Sequence, residues 1–477
     1  MPITKNEEPV PVRRVKEGSK PSSTGSAVTS NRPIVTLVAV TLVFFVITLD
    51  AVIVNVALPS IRREFGGGIG GLQWIIDGYT LMFAALLLTC GSVTDRIGAK
   101  RVLAWGMVLF VLASVACGVA PSMTALVAAR FVQGSAAAAM MPSSMALLNH
   151  ANPDPVRRTR AVAIWAMGGA VASSAGPVLG GMLTMIDWRL IFYVNVPVGA
   201  AAMVLIARTA VTGTHRVPID WWGQITAILA MAGLTFGVIE AGESGFAAPQ
   251  VVISLVVAAL ASVAFLVTEY RAAHPMVPPD LFRSRNAAVS VLIGFAFMVG
   301  YYGLPFVMSL DLQEERGLTS LGTGLVFLPM MLIGLTLTPF TPRIGQRFGP
   351  KTLIVVGLLT MTAGLIALAF LPDAPLWVVA SLMLMAGLAG PFVSPPTTAI
   401  LLDSVPARRG GVASGVFNTS RQIGGALAIA VFGLLLNAGT FSAGRAASLL
   451  TAAAVTLITV FAALLLRPRA HHSRNTA

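Results

Sequence analysis

Residues 91–100 read GSVTDRIGAK, and residues 342–351 read PRIGQRFGPK. An arginine, a glycine and a lysine recur in the same order, and the offset from Arg96 to Arg347 is 251 residues. Long apolar runs flank both stretches, so each one forms a short basic loop between two apolar helices. The repeat therefore predicts two related halves of similar length.

Reading outward from these loops, we find fourteen runs that could span a membrane, which requires about 20 largely apolar residues. They lie near 34–57, 72–93, 102–120, 122–148, 160–182, 190–210, 221–241, 250–270, 287–311, 321–341, 351–372, 375–401, 411–436 and 444–466. Without the seventh and eighth runs, two sets of six remain, as the repeat requires. We predict an all-α polytopic membrane protein with two six-helix bundles and two extra transmembrane helices between them.

The composition indicates that lipid is the main solvent. Hydrophobic residues make up 56% of the 477 residues and charged residues only 11%, with a mean hydropathy of +0.83. A soluble chain carries roughly 25% charged residues. The net charge of +13 is unevenly distributed, because 25 of the 32 Lys and Arg residues fall in segments assigned to the cytoplasm. This distribution explains the charge without nucleic acid and predicts that both termini are cytoplasmic.

The chain divides into five predicted segments. They are a disordered cytoplasmic tail (1–33), an N-terminal six-helix bundle (34–210), the two inserted helices with their flanking loops (211–285), a C-terminal six-helix bundle (286–466) and a second cytoplasmic tail (467–477). We expect a monomeric, multi-pass protein in contact with the lipids of a bacterial-type plasma membrane.

The loop at 91–100 resembles the signature loop of the major facilitator superfamily. Further motifs, given below, are similar to the fourteen-helix drug:proton antiporter branch of that superfamily, and the resemblance covers residues 34–466. It implies that the loop latches the two halves in the outward-open state. The latch residues would be Gly91, Asp95, Arg96, Gly98 and Lys100. The alternative is that the loop charges only set the topology.

The first span contains LDAVIVNVALP (49–59), which resembles a motif of the same branch. A carboxylate in the middle of a membrane helix is costly, so Asp50 is a functional candidate. We predict that it takes up and releases protons and lines the substrate cavity. The alternative is a packing residue that burial keeps permanently protonated. Asn55 is a candidate for an interhelical hydrogen bond and for the cavity.

The second span begins LQWIIDGYTL (72–81). Asp77 lies one helical turn from Gln73, so both side chains share a face. We predict Asp77 as a second proton-coupling residue within reach of a cationic substrate; it could equally be a solvated residue near the outer mouth. Gln73, Trp74 and Tyr79 are further candidates for the cavity, and the two aromatic residues suit the outer interface or vestibule.

The fourth span contains Arg130 and Gln133 in ARFVQGS (129–135), which resembles the superfamily motif of this span. An arginine inside a membrane must find a carboxylate, carbonyl groups or water. The resemblance implies that Arg130 assists proton transfer by lowering the pKa of a nearby acid. The alternative is that its side chain snorkels to the interface. Gln133 is a further candidate for the cavity.

The fifth span contains GPVLGG (176–181), which looks like the antiporter motif, formed here by Gly176, Pro177, Gly180 and Gly181. Small residues allow helices to pack closely, and proline removes one backbone donor. The resemblance implies export rather than import. The stretch DWRLIFYVNVPVG (187–199) resembles a segment of the branch to which we assign a structural role.

The thirteenth span opens with RRGGVASGVFNTSRQIGG (408–425), which also resembles the branch. We expect Arg421 and Gln422 to face the substrate cavity and Arg421 to find an acidic partner. Asp311 and Glu240 lie near the outer ends of their spans, where a solvated position on the rim is the simpler expectation.

Together these features predict a proton-coupled antiporter that exports drug-like or amphipathic small molecules by alternating access. No metal-ligand cluster, nucleophile arrangement or Walker A segment is visible, so we expect no enzyme activity, no metal, no cofactor and no direct use of ATP. The proton gradient would supply the energy. A dedicated exporter of one endogenous metabolite, peptide or lipid precursor is the alternative, and a receptor or scaffold is a third reading.

Overall fold

The computed structural model describes residues 33–214, 220–272, 275–406 and 409–467. Fourteen helices of membrane length occur in this part of the chain, and their positions match the fourteen predicted runs. They are α1 (Pro33–Val56), α2 (Ile69–Ile97), α3 (Ala99–Gly118), α4 (Met123–Ala151), α5 (Pro155–Ile186), α6 (Leu190–Ala207), α7 (Trp221–Ser244), α8 (Pro249–Arg271), α9 (Arg285–Glu315), α10 (Ser320–Phe348), α11 (Pro350–Phe370), α12 (Leu376–Asp403), α13 (Gly410–Asn437) and α14 (Phe441–Leu464).

Thirteen of these helices are long and apolar enough to cross a membrane, and the exception is α4. It is 29 residues long, but Arg130, Gln133 and His150 interrupt its apolar sequence. Two of these polar side chains, Arg130 and Gln133, are buried among other helices rather than facing lipid. A helix of lower hydropathy is therefore stable at this position, because its polar groups find partners inside the bundle.

The helices form two bundles related by the predicted repeat. In the first half α1 packs on α5 and α2 packs on α4; in the second half α9 packs on α13 and α10 packs on α12. The halves meet along two seams, α5 against α10 and α2 against α13. The repeat relates α5 to α13 and α10 to α2, so the two seams are equivalent.

The inserted helices α7 and α8 pack on each other and attach to the α2–α13 seam through α7. Near the start of α7, the buried Gln224 donates a hydrogen bond to the Ala85 carbonyl (2.8 Å) and accepts one from Thr89. Near its other end, a Cβ at Gly242 would lie 3.2 Å from the Cα of Leu434 on α13. The insertion therefore contacts both halves.

We call the end at which α1 begins and α14 ends the cytoplasmic end, as predicted, and the opposite end the outer end. At the outer end the halves are closed against each other. The Gln73 amide donates to the carbonyls of Ile429 (2.8 Å) and Ala430 (2.7 Å) across the α2–α13 seam. Arg62, in the short helix Leu58–Phe65, forms an ion pair with Glu314 (2.9 Å).

The short outer helix is also fixed to its own half. Arg189 (2.5 Å) and the indole of Trp188 (2.6 Å) both donate to the Glu64 carboxylate. These hydrogen bonds lower the pKa of Glu64 to about 2. A lowered pKa means that the stabilisation is present above the ordinary value near 4.5 and is lost only as the pH falls toward 2. The contact therefore persists on the acidic side of a proton gradient.

Toward the cytoplasmic end the α5–α10 seam opens. Ser174 on α5 donates to the Met331 carbonyl (3.0 Å), and no hydrogen bond joins these two helices beyond that level in the described ranges. A Cβ at Gly334, one turn further along α10, would meet no atom within 4 Å. The α5–α10 seam is thus closed at the outer end and open toward the cytoplasmic end.

One expectation about the outer rim is wrong. Asp311 is buried and lies between two arginines, 3.4 Å from Nε of Arg445 and 3.2 Å from Nε of Arg316. Helix α14 begins at Phe441, earlier than the predicted residue 444, and Arg445 lies inside this span. Asp311 is buried because it holds α9 to α14, a tertiary contact that hydropathy does not reveal.

Candidate functional site

The Asp50 carboxylate is fully buried between the helices of the first half and is surrounded by donors. Arg130 on α4 forms an ion pair with Oδ2. The amides of Gln133 and Asn195 each donate to Oδ1 at 2.8 Å. A carboxylate with three donors, one of them a guanidinium, is stabilised in its ionised form. The structure therefore brings together Asp50, Arg130 and Gln133 from the sequence-predicted set.

Arg130 connects this carboxylate to α2. Its Nε donates to the Ile75 carbonyl (2.9 Å), and its guanidinium lies 4.4 Å from the centre of the Tyr79 ring. The Tyr79 hydroxyl donates to the Ile47 carbonyl on α1 (3.2 Å). Arg130 is 1% exposed, so it does not snorkel to the interface. Its charge is balanced by a carboxylate, a carbonyl and an aromatic face.

Two members of the network were not predicted as site residues. Asn195 lies in the 187–199 stretch, to which we had assigned only a structural role. The resemblance of this stretch to the antiporter branch was the available signal. Ser114 on α3 accepts hydrogen bonds from Asn195 (2.9 Å) and Gln133 (3.1 Å) and donates to the Phe192 carbonyl (3.0 Å). A lone serine in an apolar helix gives no such signal.

Asp77 has the opposite surroundings. It is 0% exposed, and neither carboxylate oxygen has a hydrogen-bond partner among the described residues. The alternative that Asp77 is a solvated residue near the outer mouth is therefore wrong. An ionised carboxylate without partners is strongly disfavoured in such a place, so the neutral, protonated form is the stable one.

The other predicted cavity residues of the first half do not line an open space in this conformation. Asn55 and Gln73 lie in the closed outer seam, and Tyr79 and Gln133 lie in the core around Arg130. Trp74 packs between Phe131 on α4 and Phe236 on α7, away from the centre. These side chains are packed in the closed seam or in the core, which is why they do not line an open space. A contact with substrate stays a prediction for each of them.

Arg421 and Gln422 are half-buried on α13, and their contact with a substrate cavity stays a prediction. The expected acidic partner of Arg421 is absent among the described residues, where no carboxylate lies within 4 Å of it. Its hydrogen-bond partner is Asn418, at 3.5 Å, and Nε is buried without a partner. The expectation that Arg421 pairs with an acid is therefore wrong for the described part of the chain.

The predicted latch loop is not engaged with the opposite half. Asp95 and Arg96 are exposed and form no hydrogen bond or ion pair with any described residue. Lys100 donates to the carbonyls of Ala207 (2.9 Å) and Thr209 (2.6 Å) in its own half. Gly98 has a φ of +101°, which explains the glycine at this tight turn. Because the conformation is closed at the outer end, a latch for the outward-open state stays a prediction.

The antiporter-motif residues lie where helices approach most closely. A Cβ at Gly180 would lie 2.7 Å from Ile53 Cγ1 on α1, and one at Gly181 would lie 2.6 Å from the Ser320 carbonyl on α10. A Cβ at Gly324 would lie 2.3 Å from the Pro177 carbonyl, and Gly176 packs on Val52. The motif therefore permits the outer closure of the α5–α10 seam.

Comparisons with known proteins agree with this fold. The family model described as Major Facilitator Superfamily matches residues 40–429 and 291–477. The chain is 36% identical to the methylenomycin A resistance protein of Streptomyces coelicolor, over 83% of this chain and 84% of that protein. It is 35% identical to the multidrug resistance protein Stp of Mycobacterium tuberculosis, over 85% of this chain and 76% of that protein. The crystal structure of a POT family transporter in complex with 5-aminolevulinic acid has a TM-score of 0.67 and 14% identity, over 88% and 95% of the two chains.

Proposed function

Because the chain belongs to the major facilitator superfamily, we propose that this membrane transporter exports drug-like amphipathic molecules in exchange for protons. Two relatives at 35–36% identity carry the names of resistance proteins, which favours efflux over uptake. The GPxxGG motif of α5 supports the same direction. Within the superfamily, we assign the protein to the fourteen-helix drug:proton antiporter branch.

The observation that supports proton coupling is the contrast between the surroundings of two buried acids, Asp50 and Asp77. Asp50 has three donors beside it, one of them the Arg130 guanidinium, whereas no described residue donates a hydrogen bond to Asp77. Two carboxyl groups whose surroundings favour opposite protonation states form a natural pair for holding and releasing a proton. Asp50 remains the first candidate and Asp77 the second.

Arg130 offers a physical route from proton binding to movement. Protonation of Asp50 removes the counter-charge of Arg130 and weakens their ion pair. The same arginine holds the Ile75 carbonyl on α2, two residues from Gln73, which closes the outer seam against α13. Protonation of Asp50 from outside thus frees α2 to move, which allows the protonated protein to return to the conformation that is closed at the outer end.

The substrate enters from the cytoplasm or the inner leaflet through the open α5–α10 side. Release of a proton to the cytoplasm restores the Asp50–Arg130 pair. The exchange requires only that the two conformations differ in their affinities for the proton and for the substrate.

Efflux of a panel of cationic, neutral and anionic fluorescent dyes from a pump-deficient bacterial host tests the function. We expect the wild-type protein to lower dye accumulation and an uncoupler to abolish the effect. Efflux that continues at full rate after the proton gradient collapses would refute proton coupling, and the absence of efflux for every dye would refute drug export.

A further inference from the structure

Among the arginines that lie four or more residues inside a span in the described part of the chain, three are not exposed, and only two of these have an acidic partner. Arg130 pairs with Asp50, and Arg445 pairs with Asp311. Arg421 has no carboxylate within 4 Å, although its guanidinium stays charged at any physiological pH. A charge inside a membrane bundle without a counter-charge marks a place where a ligand completes the site.

The neighbours of Arg421 do not replace a carboxylate. The guanidinium lies 6.0 Å from the centre of the Phe297 ring and 5.8 Å from that of Phe417, at the outer limit of a cation–π contact. Asn418 accepts one long hydrogen bond of 3.5 Å. Nε is buried without an acceptor. Most of the five donors of this side chain therefore have no protein partner.

Arg421 lies at the edge of the α13 face that packs on α9, within its own half. Phe417 and Gly424 pack on α9, and a Cβ at Gly294 of α9 would lie 3.2 Å from Cγ of Arg421. Gly415 and Gly433 pack on α2, so at 100° per residue Arg421 lies between the two contact strips and nearer to α9, on the side that also carries Asn418 and Gly425. Tyr302 of α9 lies against Gly425, so aromatic groups border the same face.

The internal repeat shows which residues of the second half correspond to the Asp50–Arg130 pair of the first half. At the offset of about 251 residues, the position of Asp50 in α1 corresponds to Tyr301 in α9, and Met383 stands in place of Arg130. The second half thus has no equivalent of the buried ion pair. Instead it presents one uncompensated cation among tyrosines and phenylalanines.

We propose that Arg421 binds the carboxylate of the transported molecule, so that the transporter selects amphipathic molecules with an aromatic or apolar body and one acidic group. This inference rests on the proposed export function and names its substrate class. A carboxylate matches the planar fork of arginine and can accept two parallel hydrogen bonds. The rings of Phe297 and Phe417 suit the apolar body of the same molecule.

Direct binding to the purified full-length protein in lipid nanodiscs tests the inference without any proton gradient. The probes are 2-naphthoate and its neutral amide, 2-naphthamide, which share one ring system and differ in charge. We expect the wild-type protein to bind the acid about tenfold more tightly than the amide or better, because hydrogen bonds to charged groups are the stronger ones. Arg421→Gln should abolish the difference and leave amide binding within about twofold of wild type.

Two further variants sharpen the test. Arg421→Lys keeps the charge but not the fork, so it should retain only part of the preference for the acid. Arg101→Gln removes an exposed positive charge elsewhere and should leave the preference unchanged. Equal binding of both probes to the wild-type protein, binding of neither, or a preference that survives Arg421→Gln would each overturn the inference.

The outcome is separable from that of the proposed function. An acid preference that depends on Arg421 in a protein without proton-driven efflux would refute only the proton coupling. Proton-driven efflux by a protein that binds acid and amide equally would refute only the carboxylate site.

Discussion

At the scale of single residues, the two buried ion pairs connect different parts of the molecule. Arg445 and Arg316 hold Asp311 at the outer end of α9, and Arg316 also donates to the carbonyls of Ala374 and Pro372. This cluster ties loops and helices of one half together. The Asp50–Arg130 pair instead touches α2, which forms a seam between the halves, and is therefore suited to coupling.

Removal of one partner of the Asp50–Arg130 pair should destabilise the protein more than removal of both. Asp50→Asn or Arg130→Gln leaves a buried group without its partner, at a cost of about 3 kcal/mol or more. The double variant should be more stable than the sum of the single effects predicts. Thermal unfolding of the purified variants in detergent measures this coupling.

All three variants should lose proton-driven efflux, because the pair is needed for the response to protons. Strict additivity of the stability effects would show that the two side chains do not interact. Full efflux by Asp50→Asn would remove Asp50 from the proton path.

Asp77→Asn should leave the stability of the protein almost unchanged. The Asp77 carboxyl has no hydrogen-bond partner, and an amide of the same shape replaces a neutral acid. We expect a change within about 0.5 kcal/mol, together with a loss of the dependence of efflux on pH. A large loss of stability would indicate that Asp77 is ionised and paired in the folded protein.

The sequence predicted part of this site for a clear reason. An arginine in an apolar helix must find a counter-charge, so the pairing of Arg130 with an acid followed from general principles. The sequence could not tell that α2 is covered on this face, because its partner there is a helix about 350 residues further along the chain, as the hydrogen bond from Gln73 to Ile429 shows. The missing partner of Arg421 is equally a property of the assembled bundle.

At the scale of helices, the outer closure depends on small residues in the α5–α10 seam. Gly324 meets Pro177 there, and Ser174 donates to Met331 slightly deeper. A side chain at Gly324 cannot be accommodated while the seam is closed. By contrast, Gly334 on the same helix has open space beside it.

Gly324→Val should therefore shift the protein toward the outward-open conformation, whereas Gly334→Val should not. Overpacking costs about 1–3 kcal/mol, which corresponds to a roughly 5- to 150-fold change in the ratio of two conformations. The reporter is Ser309→Cys, at a fully buried position in the outer seam, in a protein whose Cys90 and Cys117 are replaced by alanine. A membrane-impermeant maleimide should label it faster only with Gly324→Val. Equal labelling in the two backgrounds would contradict this account of the seam.

The inserted helix α7 should contribute to stability through Gln224. Gln224→Leu removes a buried hydrogen bond to Ala85 and one from Thr89, so we expect a loss of about 1–3 kcal/mol in thermal unfolding experiments. Gln250→Leu is the matched control, because Gln250 is exposed and donates one long hydrogen bond of 3.3 Å. If both variants unfold alike, α7 is only a peripheral attachment.

At the scale of the whole molecule, the number and order of the helices could be read from the sequence. Each run of about 20 apolar residues must form a helix, since lipid leaves no other way to satisfy its backbone. The arrangement of the seams and the closed outer end could not be read in this way. They depend on contacts between distant helices, such as that of Arg62 with Glu314, which no local pattern encodes.

In the proposed cycle, substrate binds at the face that carries Arg421, while the buried acids of the first half respond to protons. Coupling then lies in the α2–α13 seam, which Arg130 reaches from one side and Arg421 flanks from the other.

The most direct test of proton-coupled export follows both fluxes at once in proteoliposomes with an acidic lumen. A pH-sensitive dye in the lumen reports proton movement while the best-exported dye of the panel is added outside. The account predicts that wild-type protein accumulates the added dye as protons leave the lumen, and that Asp50→Asn does neither. Accumulation of the dye without proton movement, or equal accumulation by Asp50→Asn, would contradict it.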